Sequence, residues 1–288
     1  MKTYQKLFSL CALTLLTQAA FAQSVPPLGT AAGFAVLSAA ANGGGAVTCT
    51  DSVISGDVGS SGAPASIVKT ECTISGAEIA PVPAQVVRDF DRAYATLGLQ
   101  QCTQTVSQAA FTGASLTYEP GVICFPAAAT FTDTTITLLG GANDLWIFKV
   151  GTDAPGALTG TGLQVLMAGG QACNVYWWVD AATTLTTSGF QGTILSGAAI
   201  TATGLANPST AYDGNMLAKA AVTLTNFSLT GCEGSHSNPK PNQRCNQGVG
   251  NGPEACDPGN SNQGNPLRSN DELGGVPGNP GRKGGNNK

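Results

Sequence analysis

Residues 183–203 of the 288-residue chain, TTLTTSGFQGTILSGAAITAT, contain the pattern that decides the fold. Threonine and aliphatic residues occur in short runs, as in Thr184-Leu185-Thr186 and Thr201-Ala202-Thr203, and glycine or serine separates the runs. Threonine and aliphatic side chains favour strands, whereas Gly, Asn, Asp and Pro favour the turns between them. In a strand the two threonines would point to one side and the residue between them to the other. The stretch therefore predicts short strands with a threonine side and an apolar side.

Five strand-like pieces of the body share this T-x-T core, and their starts are 29, 25, 17 and 22 residues apart. This irregular period is close to one coil of a solenoid. The central or flanking apolar residues, such as Phe131, Leu185 and Leu224, are predicted to face the core. None of these five triplets contains Lys, Arg, Asp or Glu. We therefore predict one uncharged outer surface, lined by Thr130, Thr132, Thr159, Thr161, Thr184, Thr186, Thr201, Thr203, Thr223 and Thr225.

One segment departs from the strand pattern. Between residues 83 and 98 the apolar residues recur at helical spacing, with charged residues largely on the other side. Pro83 suits the first helical turn and Gly98 the end of the helix. The sequence therefore predicts a mainly β protein with one amphipathic helix, whose apolar side covers the strands.

Composition excludes several classes of protein. Charged residues make up 10% of the chain (13 basic and 17 acidic), which is not typical of a coiled coil or of a charge-driven disordered protein. A net charge of -4 without a basic cluster argues against nucleic-acid binding. The chain has a single histidine, His236, and its acids are scattered. We therefore expect no enzyme activity, no cofactor and no metal site.

The ends of the chain differ from its body. Residues 1–22 have the character of a signal peptide: two lysines, a short apolar run, and Ala20-Phe21-Ala22 before a predicted cleavage at Gln23. That apolar run is too short to span a membrane, so we predict a secreted protein without a membrane span. Residues 23–233 form the predicted β body.

Residues 234–288 hold 12 Gly, 7 Pro and 11 Asn. Few aliphatic residues remain there, so this tail cannot bury a core of its own. We predict a largely disordered tail, linked locally by Cys245 and Cys256. Removal of residues 1–22 would leave eight cysteines, an even number that indicates disulfides in an exported protein.

Four separated stretches of the body carry a resemblance to a known family. Together they span nearly all of the chain from Leu28 to Gly231, and they occur in the family's order. The body resembles the microbial ice-binding proteins, which are built on an irregular right-handed β-solenoid with a helix packed along its side. The stretches are Leu28-Gly29-Thr30-Ala31-Ala32-Gly33-Phe34-Ala35-Val36-Leu37, Ile54-Ser55-Gly56-Asp57-Val58-Gly59, Tyr118-Glu119-Pro120-Gly121-Val122-Ile123-Cys124-Phe125, and the segment from Leu145 to Ala218.

The resemblance implies that a flat threonine-rich face adsorbs to ice, giving thermal hysteresis and inhibition of ice recrystallisation. Alternate residues of a strand lie about 6.6 Å apart and neighbouring strands about 4.8 Å apart, so paired threonines form a two-dimensional array. Threonine is also stiff at χ1 and loses little entropy on adsorption. We expect a monomer whose partner is the ice surface. Gly160 and Asp133 depart from the pattern and predict an irregular upper end of the face.

Two questions stay open from the sequence. An extracellular adhesin or matrix protein that binds polysaccharide through the same face is the alternative function. The six body cysteines allow fifteen connectivities. We predict the pairs Cys49–Cys72 and Cys102–Cys124 as local links and Cys173–Cys232 as a longer one, while other pairings remain open.

Overall fold

The computed structural model describes residues 25–205 and 211–232. The predicted signal segment and residues 234–288, with Cys245, Cys256 and His236, lie outside these ranges. Within them, parallel strands wind into a β-solenoid, and one α-helix, α1 (Ala84–Gly98), lies along its side. The predicted fold class is therefore confirmed, and α1 begins and ends within one residue of the prediction. None of the described helices has the length and apolar character needed to cross a membrane.

The strands, numbered β1 to β25 in chain order, form three long faces. The helix-covered face has nine strands: β1 (Phe34–Ser38), β4 (Asp57–Ser60), β7 (Glu78–Ile79), β8 (Gln104–Thr105), β11 (Gly121–Phe125), β14 (Trp146–Val150), β17 (Val175–Val179), β20 (Thr193–Ser196) and β23 (Met216–Ala218). The threonine face has eight: β2 (Val47–Thr50), β5 (Ile67–Thr70), β9 (Ala110–Thr112), β12 (Ala129–Thr132), β15 (Leu158–Thr161), β18 (Thr183–Thr186), β21 (Ile200–Thr203) and β24 (Val222–Thr225).

The third face consists of two sheets, of five and three strands, which a single bridge between Gln164 and Gly189 connects. Its strands are short, between two and five residues long. They are β3 (Val53–Ser55), β6 (Thr73–Ile74), β10 (Ser115–Tyr118), β13 (Thr135–Leu139), β16 (Gln164–Ala168), β19 (Phe190–Gln191), β22 (Ala211–Asp213) and β25 (Ser228–Thr230).

The coils are not stacked in chain order. The chain winds the coils β1–β3 and β4–β6 and reaches β7 at one end of the stack. After α1 it resumes with β8 at the opposite end, and each later coil then pairs with the coil before it. The last coil, β23–β25, closes against the first: Val36 pairs with Met216, and Thr48 pairs with Thr223. In each face, the strand that comes first in sequence therefore lies beside the strand that comes last in sequence.

The core between the three faces is filled by aliphatic and aromatic side chains. Rings from successive coils stack on each other, with centroid distances of 5.1 Å for Phe111–Phe131 and 4.0 Å for Phe148–Trp177. Trp146 and Trp177 are fully buried, so they pack in the core. Stacked rings contribute about 0.5–1.5 kcal/mol each beyond the burial of their area.

Helix α1 buries its apolar side on the helix-covered face and is fixed at both ends. Near its start, the Asp89 carboxylate accepts hydrogen bonds from the Thr30 amide (2.9 Å) and hydroxyl (2.8 Å). Near its end, the buried Lys149 ammonium donates to the carbonyls of Gly98 and Gln100, each at 2.7 Å. A cation at a helix C-terminus also interacts favourably with the helix dipole. The helix is therefore held to the 3-10 turn Gly29–Gly33, which precedes β1, and to β14.

Three disulfides join neighbouring segments: Cys49–Cys72, Cys102–Cys124 and Cys173–Cys232. These are the three pairs predicted for the body. The first two close loops of 23 and 22 residues at the two ends of the stack, and the third spans 59 residues. Closing such loops lowers the entropy of the unfolded chain by an amount equivalent to about 2–4 kcal/mol each.

Candidate functional site

The ten predicted threonines lie together on the threonine face. One column contains Thr130, Thr159, Thr184, Thr201 and Thr223, in register from strand to strand, and a second contains Thr132, Thr161, Thr186, Thr203 and Thr225. The strands β12, β15, β18, β21 and β24 are adjacent in the sheet. Because parallel strands are about 4.8 Å apart, the register produces a regular array rather than scattered hydroxyls.

The columns extend beyond the predicted set. Thr48 and Thr50 of β2 pair with Thr223 and Thr225, which adds a sixth complete pair. Thr70 and Thr112, on β5 and β9, continue the second column at its two ends. The second column is thus eight threonines long, and the first has six, with Val68 and Ala110 in the end positions. The face spans seven strand spacings, or about 34 Å.

The face is uncharged. Of the sixteen outward positions on these eight described strands, fourteen are threonine and none is Lys, Arg, Asp or Glu. The threonines are half-buried or exposed, and Thr184 and Thr201 in the middle of the face are among the exposed ones. Packing against neighbours restrains their side chains, so methyl and hydroxyl groups are presented in a fixed arrangement.

The inward positions of the same strands form a close-packed support. Phe131, Leu185 and Leu224 are fully buried, as predicted, and so are the flanking Leu158, Ile200 and Val222. Gly160 also points inward, where a Cβ atom would lie 3.1 Å from methyl groups of both Leu163 and Leu185. Those leucines fill the space, so Gly160 causes no gap. The expectation of an irregular upper end was wrong, because the register between β12 and β15 is unbroken.

A repeated corner ends the strands of this face. In seven of the eight described strands the next residue has a positive φ, between 46° and 64°. Asp133 is one of these corner residues, and Asn, Asp and Gly adopt this conformation most readily. Because successive coils make the same turn, the chain leaves each strand in the same direction. Neighbouring strands of the threonine face therefore stay aligned with each other. The corner residues are Asp51, Glu71, Gly113, Asp133, Gly162, Thr187 and Asn226.

The third face lacks this regularity, although it also carries hydroxyl groups. Its outward positions include Gln164, Leu166, Gln191 and Asp213, which interrupt the hydroxyl residues. Val53, Leu139 and Leu166 are about half exposed there (46%, 49% and 50%). Side chains of different length and polarity make this surface uneven, and the sheet is divided at the bridge between Gln164 and Gly189.

Among the described residues, no group of three or more His, Cys, Asp or Glu side chains could hold a metal ion. Burial raises the pKa of Tyr118, Tyr176 and Tyr212, and burial lowers that of Lys149. Burial also acts to raise the pKa of Asp89, but hydrogen bonds from Thr30 and Gln85 and the charge of Arg92 bring it below its usual value. All of these groups lie away from the threonine face.

Comparison with known proteins gives consistent findings. A sequence profile of the ice-binding-like family matches residues 39–230. An ice-binding protein of Flavobacterium frigoris (strain PS1) is 32% identical over 222 residues, an alignment that covers 70% of this chain and 75% of the relative. One from Nostoc sp. (strain HG1) is 31% identical over 211 residues, with 70% and 73% covered.

Solved structures agree with these sequence matches. The crystal structure of an ice-binding protein from an Antarctic bacterium of the Flavobacteriaceae superposes with a TM-score of 0.59 at 30% identity. The match covers 72% of this chain but only 47% of that protein, so this chain spans about half of its length. An ice-binding protein from the Antarctic ascomycete Antarctomyces psychrotrophicus has a TM-score of 0.58 at 25% identity, with 70% and 96% covered.

Proposed function

Because the chain belongs to the ice-binding-like family, we propose that it is a secreted protein that adsorbs to ice through its threonine face. The observation that carries this proposal is the unbroken register of six adjacent threonine pairs on a surface without charge. Adsorption uses no nucleophile, acid or cofactor.

The physical basis is the match between a rigid array and ordered water. Threonine methyl groups are poorly hydrated, and the hydroxyl groups beside them can join a hydrogen-bonded water layer at the repeat distances of the sheet. A lysine or carboxylate on the face would hold its own hydration shell and disrupt that layer. The buried support beneath the face prevents the columns from bending, so little ordering entropy is lost on contact with ice.

Adsorbed molecules would stop local growth of the ice front and force it to curve between them. Curvature lowers the local freezing point, which gives thermal hysteresis, and the same pinning inhibits recrystallisation. Export is supported by the signal-like residues 1–22 and by the three disulfides, which persist in oxidising compartments. A secreted protein would meet ice at the cell surface or in the surrounding liquid.

The test is substitution at the centre of the face. We expect Thr201→Tyr and Thr186→Tyr to lower thermal hysteresis several-fold, because a bulky ring prevents flat contact. The matched control is Thr230→Tyr, an exposed threonine on β25 of the third face, which should retain full activity. All three variants should keep the free energy of unfolding within about 0.5 kcal/mol of the parent, as is usual for surface changes. Full activity in both face variants would mean that ice binds elsewhere.

A further inference from the structure

The third face is a sheet surface that nothing covers within the described part of the chain. Its exposed aliphatic side chains, Val53, Leu139 and Leu166, are each about half accessible. On the helix-covered face, by contrast, α1 buries the corresponding apolar side chains. We propose that the cationic end of the chain, residues 273–288, docks on this third face.

The charges of the body are distributed unevenly around the solenoid. Eight of the twelve carboxylates of the described residues lie on or next to the third face: six on it or in the loops that border it, and two, Asp57 and Glu78, at the first positions of β4 and β7 on the helix-covered face. None of the five described Lys or Arg residues lies there; Lys69, on a neighbouring strand, forms an ion pair with Glu78. The face is therefore bordered by excess negative charge. The eight acids are Asp51, Asp57, Glu71, Glu78, Glu119, Asp133, Asp144 and Asp213.

The proposed occupant has the complementary charge. After Glu272 the chain contains three basic residues, Arg282, Lys283 and Lys288, and no Asp or Glu. The segment also holds two of the few aliphatic residues of the tail, Leu273 and Val276, which could cover the exposed leucines. Charge attraction in water is modest for any one pair, so several contacts must act together.

The structure also shows where the chain leaves the body. Cys232 is bonded to Cys173, which directly precedes β17, and its amide donates to the Asn215 side chain at 2.8 Å. The chain therefore leaves the body at the corner between the third face and the helix-covered face. About fifty residues separate Cys232 from Arg282. Fifty residues are enough chain to reach any part of the face, because even a random coil of that length spans about 40 Å on average. The cationic end is thus held at high local concentration.

Zero-length carbodiimide cross-linking of the full-length protein tests the docking in liquid buffer, independently of the proposed ice binding. In monomer isolated by gel filtration, we expect Lys283 and Lys288 to link to third-face acids such as Asp213 and Asp133. The yield of these cross-links should be several-fold higher than the yield of cross-links to Asp153 and Asp180. Those two acids lie in the opposite corner, between the helix-covered face and the threonine face. The positive control is Lys219 with Asp91, whose charged atoms are 3.5 Å apart. In 1 M salt, where screening is nearly complete, the tail links should fall several-fold.

A pair of charge reversals distinguishes docking from chance contact. Arg282→Glu with Lys283→Glu should lower the links of Lys288 several-fold. Lys240→Glu with Arg244→Glu changes the net charge of the tail equally, but outside the proposed segment, and should leave those links unchanged. An even spread of links over all acids, links found only in dimers, or no effect of the first reversal would overturn the proposal.

Discussion

The threonine face and the third face are made by the same coils, yet they are suited to different tasks. Both have eight strands and both carry hydroxyl groups, such as Thr117, Thr137 and Thr230 on the third face. On the threonine face one residue type repeats in register, whereas Leu166, Gln191 and Asp213 follow Thr137 along the other. The proposed ice-binding surface therefore differs from the third face in regular spacing, equal height of its side chains and absence of charge, and not in hydroxyl content alone.

The largest expected effect comes from removing the support beneath the threonine face. Phe131→Ala deletes a fully buried ring that stacks on Phe111 at 5.1 Å. We expect a loss of about 3–5 kcal/mol in the free energy of unfolding, measured by denaturant titration. The third-face control Leu166→Ala removes a half-exposed side chain and should cost about 0.5 kcal/mol or less. Equal losses in the two variants would contradict this description of the core.

A smaller effect is expected at the helix-covered face. Asp89→Asn should lower the free energy of unfolding at neutral pH by about 1–3 kcal/mol, because it weakens charge-assisted bonds from Thr30. Hydrogen bonding keeps the pKa of Asp89 in the folded protein below its usual value of 3.8, despite burial. The parent's advantage should be fully present above pH 3.8 and be lost as pH falls through the lower, folded-state pKa. Melting temperatures of the parent and of the Asp89→Asn variant, measured across this pH range, check the sign of the dependence. A difference in melting temperature that does not change with pH would refute it.

The smallest expected effect is on thermal hysteresis, when the third face is made more like the threonine face. The triple change Leu166→Thr, Gln191→Thr and Asp213→Thr extends the hydroxyl column from Thr137 to Thr230. We expect thermal hysteresis to stay at the parent level or rise slightly, because β19 has only two residues and cannot hold a flat edge. A several-fold loss would instead identify the third face as the ice-binding surface.

Local pattern was sufficient to predict the strands, the helix and five of the six threonine pairs. Alternation of Thr with a buried residue fixes which side chains point outward, whatever the neighbours are. The sixth pair, Thr48 and Thr50, has the same T-x-T pattern around Cys49 but lies far from the others in sequence. Only the closure of the last coil on the first places it beside Thr223. Such a contact between chain ends leaves no local signal.

Two further features required the folded structure. Thr70 and Thr112 have Val68 and Ala110 in place of the first threonine, so no T-x-T pattern marks them. Gly160 was expected to make the upper end of the face irregular, because the sequence does not show that Leu163 and Leu185 fill the space beside it.

Direct partition into ice is the most immediate test of the threonine face. Ice would be grown slowly from a dilute solution of the parent, of the double variant Thr186→Tyr with Thr201→Tyr, and of the control Thr230→Tyr. The protein content of the ice and liquid fractions would then be compared. We predict that the parent and Thr230→Tyr are enriched in ice, whereas the double variant stays in the liquid with an unchanged melting temperature. Equal enrichment of the double variant in ice would contradict adsorption through this face.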